Sequence, residues 1–113
     1  MAGCVFCKIL AGEIPSAKVM EDADFLAFRD IHPAAPTHVL VIPKRHIETV
    51  DDLAPEDAPL IGRMVLAAQE IARKEGIAKD GYRLVMNCRS AAGQDVFHLH
   101  LHLLGGRKLR LMG

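Results

Sequence analysis

The most regular apolar–polar pattern in the chain lies near its C-terminus. There Val96-Phe97-His98-Leu99-His100-Leu101-His102-Leu103-Leu104 alternates bulky apolar residues with histidine. Side chains of a strand point to opposite faces with a period of two. The pattern therefore predicts a strand from Val96 to Leu104, with Phe97, Leu99, Leu101 and Leu103 facing a core and His98, His100 and His102 on the other surface. The segment from about Pro55 to Glu75 follows a different period, because Ile61, Met64, Val65, Ala68 and Ile71 recur at helical spacing. It is expected to form the main helix. Glu56 and Asp57 suit its positive N-terminal end, and Gly76 is its expected stop.

Shorter elements fill in around these two. Residues Phe6 to Ala11 predict one helical turn ended at Gly12. Ala17 to Met20 and Phe25 to Phe28 predict a hairpin around Glu21-Asp22-Ala23-Asp24. Pro33 and Pro36 make Asp30 to Pro36 a loop, and His38 to Pro43 reads as a central strand. Tyr82 to Asn87 is the next strand, followed by a glycine-containing loop from Ser90 to Gln94. The order hairpin, strand, helix, strand, strand predicts an α+β fold. Its sheet is mostly antiparallel, with one long helix on one face.

Composition narrows the class. A chain of 113 residues is expected to form one domain, 1–113. The 14 basic and 14 acidic residues cancel, which argues against a general nucleic-acid or membrane-surface binder. The opening residues lack the basic region and apolar run of a signal peptide, and no apolar stretch approaches a membrane span. The expected compartment is cytoplasmic, where thiols stay reduced. Three cysteines fit metal ligation better than a disulfide framework.

Half of the six histidines sit on the C-terminal segment, which points to a chemical site. Same-face neighbours on a strand lie about 6.6 Å apart, so His98 and His102 would be separated by about 13 Å. One metal ion can take two adjacent members but hardly all three. A row of histidines with different tasks fits the spacing better. Cys4-x-x-Cys7, with His46 as a third candidate ligand, marks a second place where a metal could be held.

The run His98-Leu-His100-Leu-His102-Leu-Leu resembles the His-x-His-x-His-x-x signature of the histidine triad (HIT) family, and the likeness extends along most of the chain. Cys4-Val-Phe-Cys7, Glu13-Ile-Pro-Ser, Leu26-Ala-Phe-Arg-Asp30-Ile31, Ala35-Pro-Thr-His38-Val-Leu-Val-Ile-Pro-Lys, Gly81-Tyr-Arg-Leu-Val-Met-Asn87 and Gly93-Gln94-Asp95-Val-Phe-His98 resemble the Hint branch in order. The resemblance implies a HIT-like fold whose sheets join across a homodimer. It implies a purine nucleoside phosphoramidate hydrolase acting through a covalent nucleotidyl-histidine on an AMP- or GMP-like substrate. His100 would be the nucleophile, His102 would hydrogen-bond the phosphoryl oxygens, the carbonyl of His98 would fix the His100 tautomer, and His38 would support the network. Asp30 and Ile31 match the positions that hold the nucleoside, and Asn87, Gly93, Gln94 and Asp95 match phosphate-side positions. Asp95 stands where Ser or Thr is common in eukaryotic relatives, beside the leaving group. The zinc-containing bacterial members imply a structural Zn²⁺ on Cys4, Cys7, His46 and His98, with no organic cofactor. The other readings are a purine-nucleotide-binding or scaffold protein with weak catalysis, a dinucleoside polyphosphate hydrolase of the same family, and a metal-dependent hydrolase using the histidine row as ligands.

Overall fold

The computed structural model describes residues 3–112. Five strands form one antiparallel sheet in the order β1-β2-β3-β5-β4. These are β1 (Lys18–Glu21), β2 (Phe25–Arg29), β3 (Thr37–Pro43), β4 (Tyr82–Val85) and β5 (Leu101–Gly105). A short helix, α1 (Val5–Leu10), precedes β1, and a long one, α2 (Ala58–Lys74), links β3 to β4. The expected architecture of a mostly antiparallel sheet with one long helix holds.

Alternation along β2 and β3 feeds two cores. Ala27, Val39 and Val41 join Leu99, Leu101 and Leu103 beneath α2, which contributes Met64, Ala67, Ala68, Ile71 and Ala72. Leu26, Phe28, Leu40 and Ile42 project from the opposite face onto Phe6 of α1. That explains why β3 is buried along its whole length and reads as a continuous apolar run from Val39 to Pro43. The buried stripe of α2 runs through Ala67 and Ala72, while Val65, expected inside, is 39% exposed.

Pro55–Asp57 forms a separate 3₁₀ turn before α2, with the Asp57 carboxylate accepting from the Ala54 N–H. At the other end Gly76 adopts φ 76°, and the Gly76 and Ile77 N–H groups return to the carbonyls of Arg73 and Ala72. This is the left-handed stop that glycine supplies without steric cost.

The expected strand over Val96–Leu104 is corrected: β5 begins only at Leu101. The ladder to β3 ends at the Val41–Leu101 pair. Beyond it the Pro43 carbonyl accepts from the His98 ring at 2.8 Å rather than from a strand backbone, and the Leu99 N–H goes to the Ile47 carbonyl at 2.7 Å. Side-chain and loop partners have replaced the ladder. The inward alternation survives at Leu99, Leu101 and Leu103, all buried, but Phe97 is turned outward and 43% exposed. Likewise β4 stops at Val85, short of Asn87.

Candidate active site and metal centre

The break in the last strand separates the three histidines. His98 turns toward α1, whereas His100 and His102 line a cleft of about 300 Å³ between α1, the end of β2 and β5. Asp30 and Ile31 form its far side, Phe6 and Leu40 part of its apolar floor, and Asp95 its rim.

Hydrogen bonds determine which ring nitrogen carries each proton. The Ala34 N–H donates to His38 Nδ1 at 3.0 Å, so that nitrogen holds a lone pair and the proton sits on Nε2. His38 Nε2–H then donates to His102 Nδ1 at 2.9 Å, which leaves the His102 proton on Nε2, the nitrogen away from His38. The Asp30 carboxylate lies 3.5 Å from the same His38 nitrogen. His100 is set independently. Its Nδ1–H donates to the His98 carbonyl at 2.8 Å, and Nε2 keeps a free lone pair. Burial, helped by the His100 and His38 rings, holds His102 down at about 4. Burial also lowers His38, against the pull of Asp30. Both rings are therefore neutral near pH 7, as the proton chain requires. Phe6 stands edge-on to His100 with ring centroids 5.1 Å apart, closing the apolar side.

The remaining expected residues are spread around this centre. Asp30 Oδ1 accepts the His32 N–H, which fixes the carboxylate at the mouth of the loop. Ile31 is 82% exposed on the lip of the cleft. Gly93 adopts φ 92° in the turn before the triad. Gln94 is buried, and its side-chain amide is bonded to backbone of Arg89, Glu48 and Val96. Asn87, Gly93 and Gln94 do not line the cleft, and of the expected phosphate-side residues only Asp95 does. Phe6, the Ala34 N–H and the carbonyls of Pro43 and Ile47 were not anticipated. Three of these are backbone groups without a residue signature, whereas Phe6 has one, its place inside the Cys4-x-x-Cys7 motif.

His98 belongs to a second cluster with Cys4, Cys7 and His46, whose ligand atoms all lie within 4.8 Å of one another. Cys4 Sγ and Cys7 Sγ stand 3.4 and 3.5 Å from His98 Nδ1, and Cys7 Sγ stands 3.2 Å from His46 Nδ1. A tetrahedral ion with bonds of about 2.3 Å to sulfur and 2.0 Å to nitrogen separates its S and N ligands by about 3.5 Å. His98 Nε2–H is taken by Pro43, so Nδ1 offers its lone pair to the centre. The donor set and its spacing fit a metal ion.

A HIT domain model matches residues 11–109. The chain belongs to the histidine triad family. The purine nucleoside phosphoramidase of Escherichia coli K12 is 53% identical over 105 residues, covering 93% of this chain and 88% of that protein. Protein HitA of Neisseria gonorrhoeae is 48% identical, covering 93% of this chain and 97% of HitA. Among solved structures, a HIT family hydrolase from Legionella pneumophila superposes with a TM-score of 0.93 at 52% identity, covering 96% of both chains. A histidine triad protein from Clostridium difficile reaches 0.95 at 42% identity, covering 100% of this chain and 98% of the other. No helix among the described residues is long and apolar enough to cross a membrane.

Proposed function

We propose that this protein is a purine nucleoside phosphoramidate hydrolase. The observation that carries the reading is the pair of independently fixed tautomers, with a free His100 Nε2 lone pair and a His102 Nε2–H facing one cleft. His100 Nε2 attacks phosphorus, the P–N bond breaks with its electron pair on the leaving nitrogen, and that nitrogen takes up a proton from solvent, which the water attacking in the next step returns. Water then hydrolyses the nucleotidyl-histidine, releasing the nucleoside monophosphate. His102 Nε2–H stabilises charge on the phosphoryl oxygens as it develops. Asp30 accepts from the ribose hydroxyls, and Ile31 covers the purine. Gly93 allows the backbone near the phosphate, Asn87 and Gln94 support that loop, and Asp95 faces the leaving group. The identity to the E. coli phosphoramidase supports the substrate class.

Zn²⁺ is the ion we assign to Cys4, Cys7, His46 and His98, since two thiolates and two imidazoles suit a closed tetrahedral site. When bound, it supplies structural cross-linking of α1 to the sheet. A cytoplasmic location belongs to the same reading, since thiolate ligands such as Cys4 and Cys7 stay available where thiols are kept reduced. We also infer a homodimer joined along β4. The opposite edge, β1, is irregular at Lys18–Met20 and carries Lys18 and Glu21, features that block strand addition. β4 is regular and exposes Leu84.

Steady-state hydrolysis of adenosine 5′-phosphoramidate tests the reading, run beside a dinucleoside polyphosphate. Turnover lost in His100→Ala, with nucleotide binding retained, is the expected result. Tight nucleotide binding without turnover in the unaltered protein would establish a binding role instead.

A further inference from the structure

The metal cluster and the nucleophile share one peptide group. The His98 carbonyl that accepts from His100 Nδ1 and the Leu99 N–H belong to the same plane. That N–H donates to the Ile47 carbonyl at 2.7 Å, and Ile47 directly follows His46. Two of the four candidate ligands, His46 and His98, therefore adjoin the two ends of the hydrogen bond that orients this plane. No strand ladder assists it, since β5 begins at Leu101. The His98 ring is itself held between the Pro43 carbonyl on Nε2 and the two cysteine sulfurs around Nδ1.

We propose that the Cys4–Cys7–His46–His98 centre is a positioning device for the nucleophile, acting through the peptide plane between His98 and Leu99. The inference rests on the reading of this cluster as a metal site. With the ion in place, the His98 ring and the His46–Ile47 segment cannot move apart, and the plane aims its carbonyl at His100 Nδ1. Without it, the two cysteines no longer restrain His98, the plane rocks, and His100 samples the tautomer with its proton on Nε2. That tautomer has no lone pair to offer phosphorus. Groups that orient a metal-bound histidine typically change activity or metal affinity by about 10- to 100-fold, and an effect of that order is expected for His100. A purely structural ion would lower thermal stability and leave the His100 tautomer as it was.

The test is ¹⁵N NMR of the His100 ring in the full-length protein, loaded with Zn²⁺ and stripped with a chelator, with metal content measured on the same samples. The expected result is an Nδ1–H tautomer in the loaded form and a mixed or exchange-broadened ring in the stripped form, with kcat falling about 10-fold or more and KM little changed. His46→Cys keeps four ligands and is expected to retain the loaded signature, whereas His46→Ala loses it. Should the stripped protein unfold, comparison of the Zn²⁺ and Cd²⁺ forms replaces it. The larger ion shifts His98, and the His100 Nδ1 resonance should shift with it. Bound metal with a His100 ring indifferent to its removal or exchange would overturn the positioning role and leave the metal site standing. Failure to bind Zn²⁺ at all would overturn the metal site itself.

Discussion

The Gln94 side-chain amide donates to the Glu48 carbonyl at 2.8 Å, tying the loop before the triad to the segment that follows His46. The same nitrogen donates to the Val96 carbonyl at 3.0 Å, and Oε1 accepts the Arg89 N–H at 2.7 Å. Arg89 sits at φ 66°, a conformation that costs a non-glycine residue on the order of 1–3 kcal/mol. Gln94 thus braces a strained turn beside the cleft. Gln94→Ala leaves backbone groups of Arg89, Glu48 and Val96 without their partner, each worth about 1–3 kcal/mol if it stays buried. We expect a loss of about 2 kcal/mol or more by urea unfolding, and a larger loss for Gln94→Glu, whose carboxylate would face two carbonyls. An alanine variant as stable as the parent would show that the turn holds without its brace.

The sequence marks Gln94 as a residue of this loop but not as its brace, because all three of its partners are backbone groups. The alternation of leucine with histidine marks Leu99, Leu101 and Leu103 as inward, and they are buried, but Phe97, in the same alternation, is turned outward where the ladder has ended. It did not reveal that the strand begins only at Leu101, since that depends on Pro43 spending its carbonyl on a histidine ring. The residue types that could ligate a metal were legible in Cys4, Cys7 and His46, and the fold brings them to His98. The proton chain from Ala34 to His38 to His102 starts at a backbone N–H, which leaves no trace in side-chain identity.

That chain predicts a positioning role for His38. His38→Ala frees His102 Nδ1 to hold the proton itself, so the nitrogen facing the cleft no longer donates. We expect kcat to fall by about 10-fold or more, a barrier increase of about 1.4 kcal/mol, with KM nearly unchanged. His38→Gln, which can donate to His102 Nδ1, should recover part of it. Steady-state kinetics on the two variants decide the matter, and equal losses in both would argue against the proton-directing role.

The depressed His102 also predicts how stability responds to acid. Its folded value of about 4 lies below the usual histidine value of 6.5, so the unfolded chain binds the extra proton first as pH falls. The contribution is fully present above 6.5, declines between 6.5 and about 4, and is lost below. The slope is at most about 1.4 kcal/mol per pH unit for one proton, reduced by the solvent that still reaches the ring. Urea midpoints measured from pH 7 to pH 4 should fall less steeply for His102→Gln than for the unaltered protein. Parallel curves would remove His102 as the source.

Asp95 carries a negative charge on the cleft rim and has no ion-pair partner among the described residues. An amine leaving group with its own positive charge gains from that carboxylate, and a neutral one does not. At about 4 Å in a solvated site the attraction is on the order of 1 kcal/mol, roughly fivefold in rate. Asp95→Ser should therefore lower kcat/KM about fivefold for a phosphoramidate bearing a cationic amine, leave a neutral-amine substrate nearly unaffected, and weaken the salt dependence of the first. Equal effects on both substrates would assign Asp95 to the loop rather than to leaving-group choice.

The free edge of the sheet carries the last prediction. β4 pairs with β5 from Tyr82–Gly105 to Val85–His102 without a register shift, and its outer side has no strand beside it within the described chain. Leu84 is 37% exposed there. If two copies join β4 to β4 about a two-fold axis that passes beside Leu84, each Leu84 lies near its counterpart, and a charge at that position meets its own image. Like charges facing one another across strands destabilise the pairing, by up to about 1 kcal/mol for each such pair. Burying two lysines in the joint adds a further desolvation cost. Leu84→Lys should thus shift the protein from dimer to monomer in sedimentation velocity at micromolar concentration, while circular dichroism stays that of the folded chain. A folded Leu84→Lys protein that still sediments as a dimer would move the interface away from β4.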